Sequence, residues 1–190
     1  MQTADFDFDL PPELVAQIPA AERDQSRLLV LQRDIGQVSH RGFRDLLACL
    51  SAGDVLVLNN SRVIPARLRG ANARSGGHFE ILLLEENGVN DWWALLRPAK
   101  RARVGTQIVI HDPSRHEGNV LATVADKNDE GHCRLHFTGM PNISEALDSL
   151  GEVPLPPYIH RSVSSRTAED RERYQTVFAQ PAGSVAAPTA

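Results

Sequence analysis

The side chains best suited to chemistry sit together at the end of an apolar run: Asn59, Asn60, Ser61 and Arg62 directly follow Val55-Leu56-Val57-Leu58. Amides and a hydroxyl can hydrogen-bond the edges of a base or ribose, and a guanidinium grips a carboxylate or phosphate through paired bonds. Open α/β sheets bind ligands just beyond the carboxyl ends of buried strands, and this cluster falls at such an end. The same residue types also favour tight turns for local reasons, so turn and ligand site both remain readings of the stretch. Arg67 and Arg69 are two apart and share one face of the following strand, either a solvated face or further anion contacts.

Positive charge is concentrated after this stretch. Residues 62–103 carry 8 basic and 4 acidic groups, whereas the whole chain has a formal net charge of −4. The overall charge excludes a generally basic nucleic-acid binder, and the local excess points to a polyanionic partner. Its densest part is Arg97, Lys100, Arg101 and Arg103, an ordinary charged loop or a set of phosphate contacts. Eighteen of the 20 basic residues are Arg. That bias suits RNA, although a GC-rich gene produces it too. Trp92-Trp93 place one ring on each side of a strand, so at least one is core and the other is free to stack on a base.

Other chemistries lack their motifs. Seven histidines are present, yet there is no Cys-x-x-Cys or His-Glu-x-x-His, so no metal is expected. There is no Gly-x-Gly-x-x-Gly and no P-loop. Tyr158 and His160 are suited to proton transfer, but no residue is identified as the catalytic base. Cys49 and Cys133 lie in apolar patterns and read as buried free thiols of a reducing compartment. Met1–Leu10 is too acidic for a signal peptide, and no apolar run approaches the ~20 residues of a membrane span. A cytoplasmic protein without membrane contact is expected.

The elements that must position these residues divide into two kinds. Asp5–Leu10 alternates like a strand, Glu13–Ile18 suits one or two helical turns, and Leu28–Leu31 reads as a strand returning through a turn at 35–37 to Val38. Phe43, Leu46, Leu47 and Leu50 fall on one face of a helix that Gly53 would end, with Val55–Leu58 next as a strand buried on both faces. Beyond Arg62 the spacing predicts extended runs at Val63–Arg69, Phe79–Glu85, Trp92–Leu96, Gln107–His111, Val120–Ala125 and Cys133–Phe137. Polar connections separate them, including Asp112–Gly118. Six short strands without intervening helices suggest a small barrel. Asn142 and Glu145 then suggest a capping box for a helix through Leu150, Pro154–Tyr158 is extended, and Thr167–Phe178 reads as a second helix.

Five stretches together resemble one family, the S-adenosylmethionine:tRNA ribosyltransferase-isomerases of queuosine synthesis. They are Asp5-Phe6-Asp7-Phe8-Asp9-Leu10-Pro11; Arg27-Leu28-Leu29; and Val57-Leu58-Asn59-Asn60-Ser61-Arg62-Val63-Ile64-Pro65-Ala66-Arg67-Leu68. Then follow Leu155-Pro156-Pro157-Tyr158-Ile159 with Arg161, and Arg173-Tyr174-Gln175-Thr176-Val177-Phe178 leading to Gly183–Ala190. They occur in order across the whole chain. The resemblance implies an α/β main domain carrying an inserted small antiparallel β-barrel, with residues 1–62 and 149–190 in the first and 63–148 in the second. It implies that the α/β domain is incomplete here, because family chains run on past Ala187-Pro188-Thr189-Ala190 into Gly-Leu-His-Phe.

The activity so implied transfers and isomerises the ribosyl group of S-adenosylmethionine onto 7-aminomethyl-7-deazaguanine in tRNA. Epoxyqueuosine forms, and adenine and methionine are released. Asn59, Asn60, Ser61, Arg62, Arg67, Tyr158, Arg161, Tyr174, Gln175 and Thr176 become candidates for substrate binding, and Arg97, Lys100, Arg101 and Arg103 for tRNA contact. S-adenosylmethionine is the co-substrate, no metal is needed, and a monomer is expected. The alternative is a truncated, non-catalytic RNA-binding barrel or an inactive fragment.

Overall fold

The computed structural model describes residues 2–111, 120–161 and 168–187. The expected connection at 112–118, the start of the helix at Thr167 and residues 188–190 therefore lie outside the described residues. The chain forms two units, one of residues 1–58 and 157–160, the other of residues 59–156 and 161–190.

The first unit contains one hairpin, β1 (Arg27–Gln32) antiparallel to β2 (Gln37–Gly42), as the apolar run and the Gly36 turn predict. Gly36 has φ +65°, which costs glycine nothing. Around the hairpin lie short 3₁₀ turns at Thr3–Phe6, Pro12–Leu14, Arg23–Gln25 and Phe43–Cys49. Three expectations are corrected here. Asp5–Leu10 is not a strand, since its first part winds into the 3₁₀ turn. Phe43–Leu50 is helical only as 3₁₀.

Val55–Leu58 pairs with nothing among the described residues, and Val55 is 89% exposed. The reason is common to the last two. A short amphipathic helix draws its stability from the face it buries, and a strand draws its stability from its neighbours. No residue of the described first unit is buried. Cys49 is accordingly exposed, against expectation.

The second unit holds the core. β3 (Arg62–Val63) is followed by β4 (Arg67–Asn72), β5 (His78–Gly88), β6 (Asp91–Arg97), β7 (Gln107–Ile110), β8 (Leu121–Lys127) and β9 (Cys133–Thr138). Strands β4 to β9 close into an antiparallel barrel of order β4-β5-β6-β9-β8-β7. All six predicted runs are strands. The first is split in two because Pro65 lacks a donor and interrupts the ladder.

Alternate residues fill the interior: Leu68 and Gly70 from β4, Ile81 and Leu83 from β5, Trp92 and Ala94 from β6, Ile108 and Ile110 from β7, Ala122 and Val124 from β8, Leu135 and Phe137 from β9. Gly70 is small by necessity, because a Cβ there would stand 2.6 Å from the Val109 carbonyl oxygen. Trp92 is core and Trp93 half-buried. Cys133 is fully buried, and loss of solvation pushes its thiol pKa upward.

Helix α1 (Ile143–Leu150) adds Ile143, Leu147 and Leu150 to this core. Burying three such side chains contributes about 1.5–3 kcal/mol each before entropy is counted. Asn142 caps it by accepting from Ser144 N at 3.0 Å. Asn90, at φ +60° in the β5–β6 turn, accepts from Ile143 N at 2.7 Å and donates to the Met140 and Pro141 carbonyls at 3.1 Å each. Asn tolerates this left-handed backbone, so one turn residue ties the helix start to the barrel. The unit is completed by α2 (Ala168–Arg173), shorter than the predicted helix, and by β10 (Ala182–Ser184), which pairs parallel with β3.

Candidate functional site

The residues singled out at 59–62 are held by the segment 175–184, which is distant in sequence. The Thr176 hydroxyl donates to the Asn59 carbonyl at 2.7 Å, and Gln180 N donates to the Asn60 carbonyl at 2.9 Å. Arg62 N donates to the Pro181 carbonyl at 2.7 Å, and Ile64 N to the Ser184 carbonyl at 2.9 Å. Gln175, only 6% exposed, uses both ends of its amide: Val63 N donates to Oε1 at 2.8 Å, and Nε2 donates to the Val63 carbonyl at 2.9 Å. Its side chain thus bonds both backbone groups of Val63, as a neighbouring strand would, while Pro181 and Ser184 bond Arg62 and Ile64 on either side. The Asn59 side chain closes an Asx turn by accepting from Ser61 N at 2.9 Å. Residues 59–62 thus form the turn, held as a shelf by the segment 175–184.

This division of labour sorts the candidates. The carbonyls of Asn59 and Asn60, both backbone groups of Val63 and the N–H groups of Ser61, Arg62 and Ile64 are consumed, as are the side chains of Gln175 and Thr176, so these two position the stretch. The side chains of Asn60, Ser61 and Arg62 have no hydrogen bond or ion pair among the described residues, and Asn60 and Arg62 are exposed. An amide, a hydroxyl and a guanidinium are presented from consecutive residues on a backbone that is already fixed. Such an arrangement can hold a polar ligand without first ordering a loop.

The remaining candidates are placed differently. Arg67 donates to the Leu155 carbonyl at 2.9 Å, and its Nε lies 3.4 Å from Glu80 without hydrogen-bond geometry. Arg69 makes a paired contact with Glu152 at 2.7 and 3.2 Å, which raises its pKa further. Backbone bonds between Arg67 and Glu152 at 2.8 and 3.1 Å complete the contact. This face of β4 is thus no solvated face; it straps residues 152–155 to the barrel. Arg161 is gripped by Asp170 at 2.9 Å through two nitrogens, and this pairing raises its pKa. Tyr174 is half-buried beside Gln175.

Tyr158 belongs to the first unit, where Gln17 clamps its neighbourhood: Nε2 donates to the Tyr158 carbonyl at 2.9 Å, and His160 N donates to Oε1 at 2.8 Å. Gln17, Asn90, Glu152 and Asp170 escaped the sequence reading, since each works only through a partner far along the chain or across a turn. Among the described residues no three His, Cys, Asp or Glu side chains are grouped to hold a metal, and no helix is long and apolar enough to cross a membrane.

The chain is similar to known proteins. A curated relative from Clostridioides difficile (strain 630), an S-adenosylmethionine:tRNA ribosyltransferase-isomerase, is 46% identical over 192 aligned residues, covering 100% of this chain and 53% of its own. A solved structure, the S-adenosylmethionine tRNA ribosyltransferase from Thermotoga maritima, is 37% identical, with a TM-score of 0.38 over 82% of this chain and 52% of that one. The chain thus spans about half the length of the curated relative it matches. The model of the family described as queuosine biosynthesis protein matches residues 3–190, and the chain belongs to that family.

Proposed function

We propose that the protein to which this chain belongs transfers and isomerises the ribosyl group of S-adenosylmethionine onto 7-aminomethyl-7-deazaguanine in tRNA, forming epoxyqueuosine. The observation that carries this reading is the 46% identity to a ribosyltransferase-isomerase across the entire chain. On this reading S-adenosylmethionine and the modified tRNA are the two substrates, without a metal. The protein is a cytoplasmic monomer whose α/β domain is built from residues 1–62 and 149–190, with the barrel at 63–148 inserted between them in sequence.

Residue roles follow from what the shelf leaves available. The Arg62 guanidinium is suited to the carboxylate of the methionyl group, which leaves with methionine. Asn60 and Ser61 are suited to the ribose hydroxyls or the adenine edge. Asn59, Gln175 and Thr176 hold the shelf, and Arg67 and Arg161 hold the strands and turns around it through Leu155 and Asp170. Tyr174 and Tyr158 are the hydroxyl-bearing candidates for substrate contact. No group among these is assigned as the base that isomerisation requires.

The test is direct. The full-length enzyme is incubated with S-adenosylmethionine and tRNA carrying the precursor base, and adenine is followed by chromatography. Stoichiometric adenine release with a mass gain on the tRNA is expected. Absence of adenine overturns the assignment.

A further inference from the structure

The cations on the barrel are of two kinds. Arg67, Arg69 and Arg134 are spent on Glu80, Glu152 and Asp91. Arg74, Arg97, Lys100, Arg101 and Arg103 are all exposed, and none of their side chains has a hydrogen bond or ion pair among the described residues. The second kind converges on one end of the barrel. Arg97 closes β6, and the 3₁₀ turn Ala99–Arg101 follows it. Arg74 lies in the β4–β5 turn, where Asn72 N pairs with the Gly77 carbonyl. The Arg101 guanidinium reaches that turn, with Nη1 3.9 Å from where a Gly77 Cβ would be. Ala73 N donates to the Gln107 carbonyl at 2.9 Å, fastening the same turn to the start of β7.

The loop that carries these charges is braced. Ala102 is fully buried at its centre. Lys127 donates from Nζ to the Ala99 and Ala102 carbonyls at 3.3 and 3.0 Å, so its ammonium holds the loop from below. Arg103 N donates to the Thr106 hydroxyl at 3.0 Å, and Gly105 N to the Val124 carbonyl at 2.8 Å. Acids are near: Asp126 lies at the end of β8, and Asp129 and Glu130 lie on the β8–β9 connection, with Glu130 3.3 Å from His132. None of them pairs with the five free cations. Unpaired like charges held close on a braced loop repel one another, and a polyanion relieves that repulsion.

We propose that this end of the barrel, Arg74 with Arg97, Lys100, Arg101 and Arg103, docks the phosphate backbone of the tRNA substrate. The proposal rests on the tRNA-modifying reading above and extends it by naming the surface and its mode. Contacts are to phosphates rather than base edges, so they position the RNA without selecting its sequence. Four arginines favour the forked geometry that fits phosphate oxygens. A surface of this kind binds with strong salt dependence.

The test uses the 190-residue chain and an unmodified tRNA transcript, with binding followed by fluorescence anisotropy from 50 to 300 mM KCl. The triple variant Lys100→Ala, Arg101→Ala, Arg103→Ala loses no side-chain hydrogen bond or ion pair among the described residues and should melt like the parent. If three phosphate contacts are lost, the slope of log affinity against log salt falls by roughly two to three units, and affinity at 100 mM salt drops roughly a hundredfold. Arg33→Ala, at the exposed hairpin turn of the first unit, is the control and should leave both unchanged. A triple variant with parental slope and affinity overturns the surface and leaves the catalytic reading standing. Failure of the parent to bind tRNA at any salt also overturns the surface, and adenine release by the full-length enzyme then decides the catalytic reading separately.

Discussion

At the scale of single residues, neighbours in the candidate site have opposite expected phenotypes. Arg62 is exposed and its side chain carries no bond among the described residues, so Arg62→Ala should change stability by less than about 0.5 kcal/mol. If its guanidinium holds a carboxylate in the full-length enzyme, kcat/KM falls roughly 10- to 100-fold, the cost of one charge-assisted bond. Gln175→Ala should do the reverse. It strips both partners from the Val63 backbone and should lower stability by about 1–3 kcal/mol, read from urea unfolding. Equal stability losses in the two variants would return Arg62 to a structural role.

A second residue-scale prediction concerns acid. Asp91 is buried and grips Arg134 at 2.5 Å, and that hydrogen bond holds its carboxyl below the usual carboxylate range, with His136 adding a smaller effect. A carboxyl depressed in the folded state contributes stability in full above its unfolded value of about 3.9 and loses it as pH falls through the lower folded value. Urea midpoints of the parent should therefore drop steeply below about pH 4. Asp91→Asn should start lower at neutral pH and drop less on acidification. Parallel pH profiles for the two proteins would rule out this pair as a source of acid sensitivity.

At the scale of elements, the end of α1 is set by backbone proximity. Gly151 follows the helix with its N–H donating to the Leu147 carbonyl at 2.8 Å, and a Cβ there would lie 1.9 Å from the Pro65 carbonyl oxygen. That oxygen is backbone and cannot swing away. Gly151→Ala should cost at least about 1–3 kcal/mol, as overpacking does, and should shift α1 off Leu147 and Leu150. Gly77→Ala, with only the Ser75 hydroxyl and the tip of Arg101 near, should cost far less, and thermal melts of the two variants compare them.

At the scale of the molecule, burial is concentrated in one unit. Every buried apolar side chain from Val63 to Leu155 belongs to the second unit, whereas Phe6, Phe8, Leu10, Leu14, Leu47 and Val55–Leu58 are exposed in the first. Regions with few buried contacts open at low cost. Chymotrypsin should therefore cut at Phe6, Phe8, Phe43 and Leu47 well before Phe79, Trp92 and Phe137, leaving a resistant product that contains residues 59–156. Simultaneous cleavage of both sets would show a single cooperative unit.

The six strands were legible in the sequence because a barrel satisfies locally readable conditions. Short apolar runs such as Cys133–Phe137, separated by polar connections, state which side chains can face in, and the interior accepts them. At Asn59–Arg62 the sequence states hydrogen-bonding capacity, since residue type alone sets what an amide or guanidinium can bond. The apolar runs at Phe43–Leu50 and Val55–Leu58 misled, because an apolar pattern states a need for a partner and cannot supply one. What only the tertiary structure decided is which members of a pattern are already occupied. Contacts across more than eighty residues turn Gln175 and Thr176 into supports for Asn59 and Val63, strap Arg67 and Arg69 to 152–155, and leave Asn60, Ser61, Arg62 and the cations of the barrel end open. Hydrogen-bonding capacity is a property of the residue; whether it is spent depends on what folding places beside it.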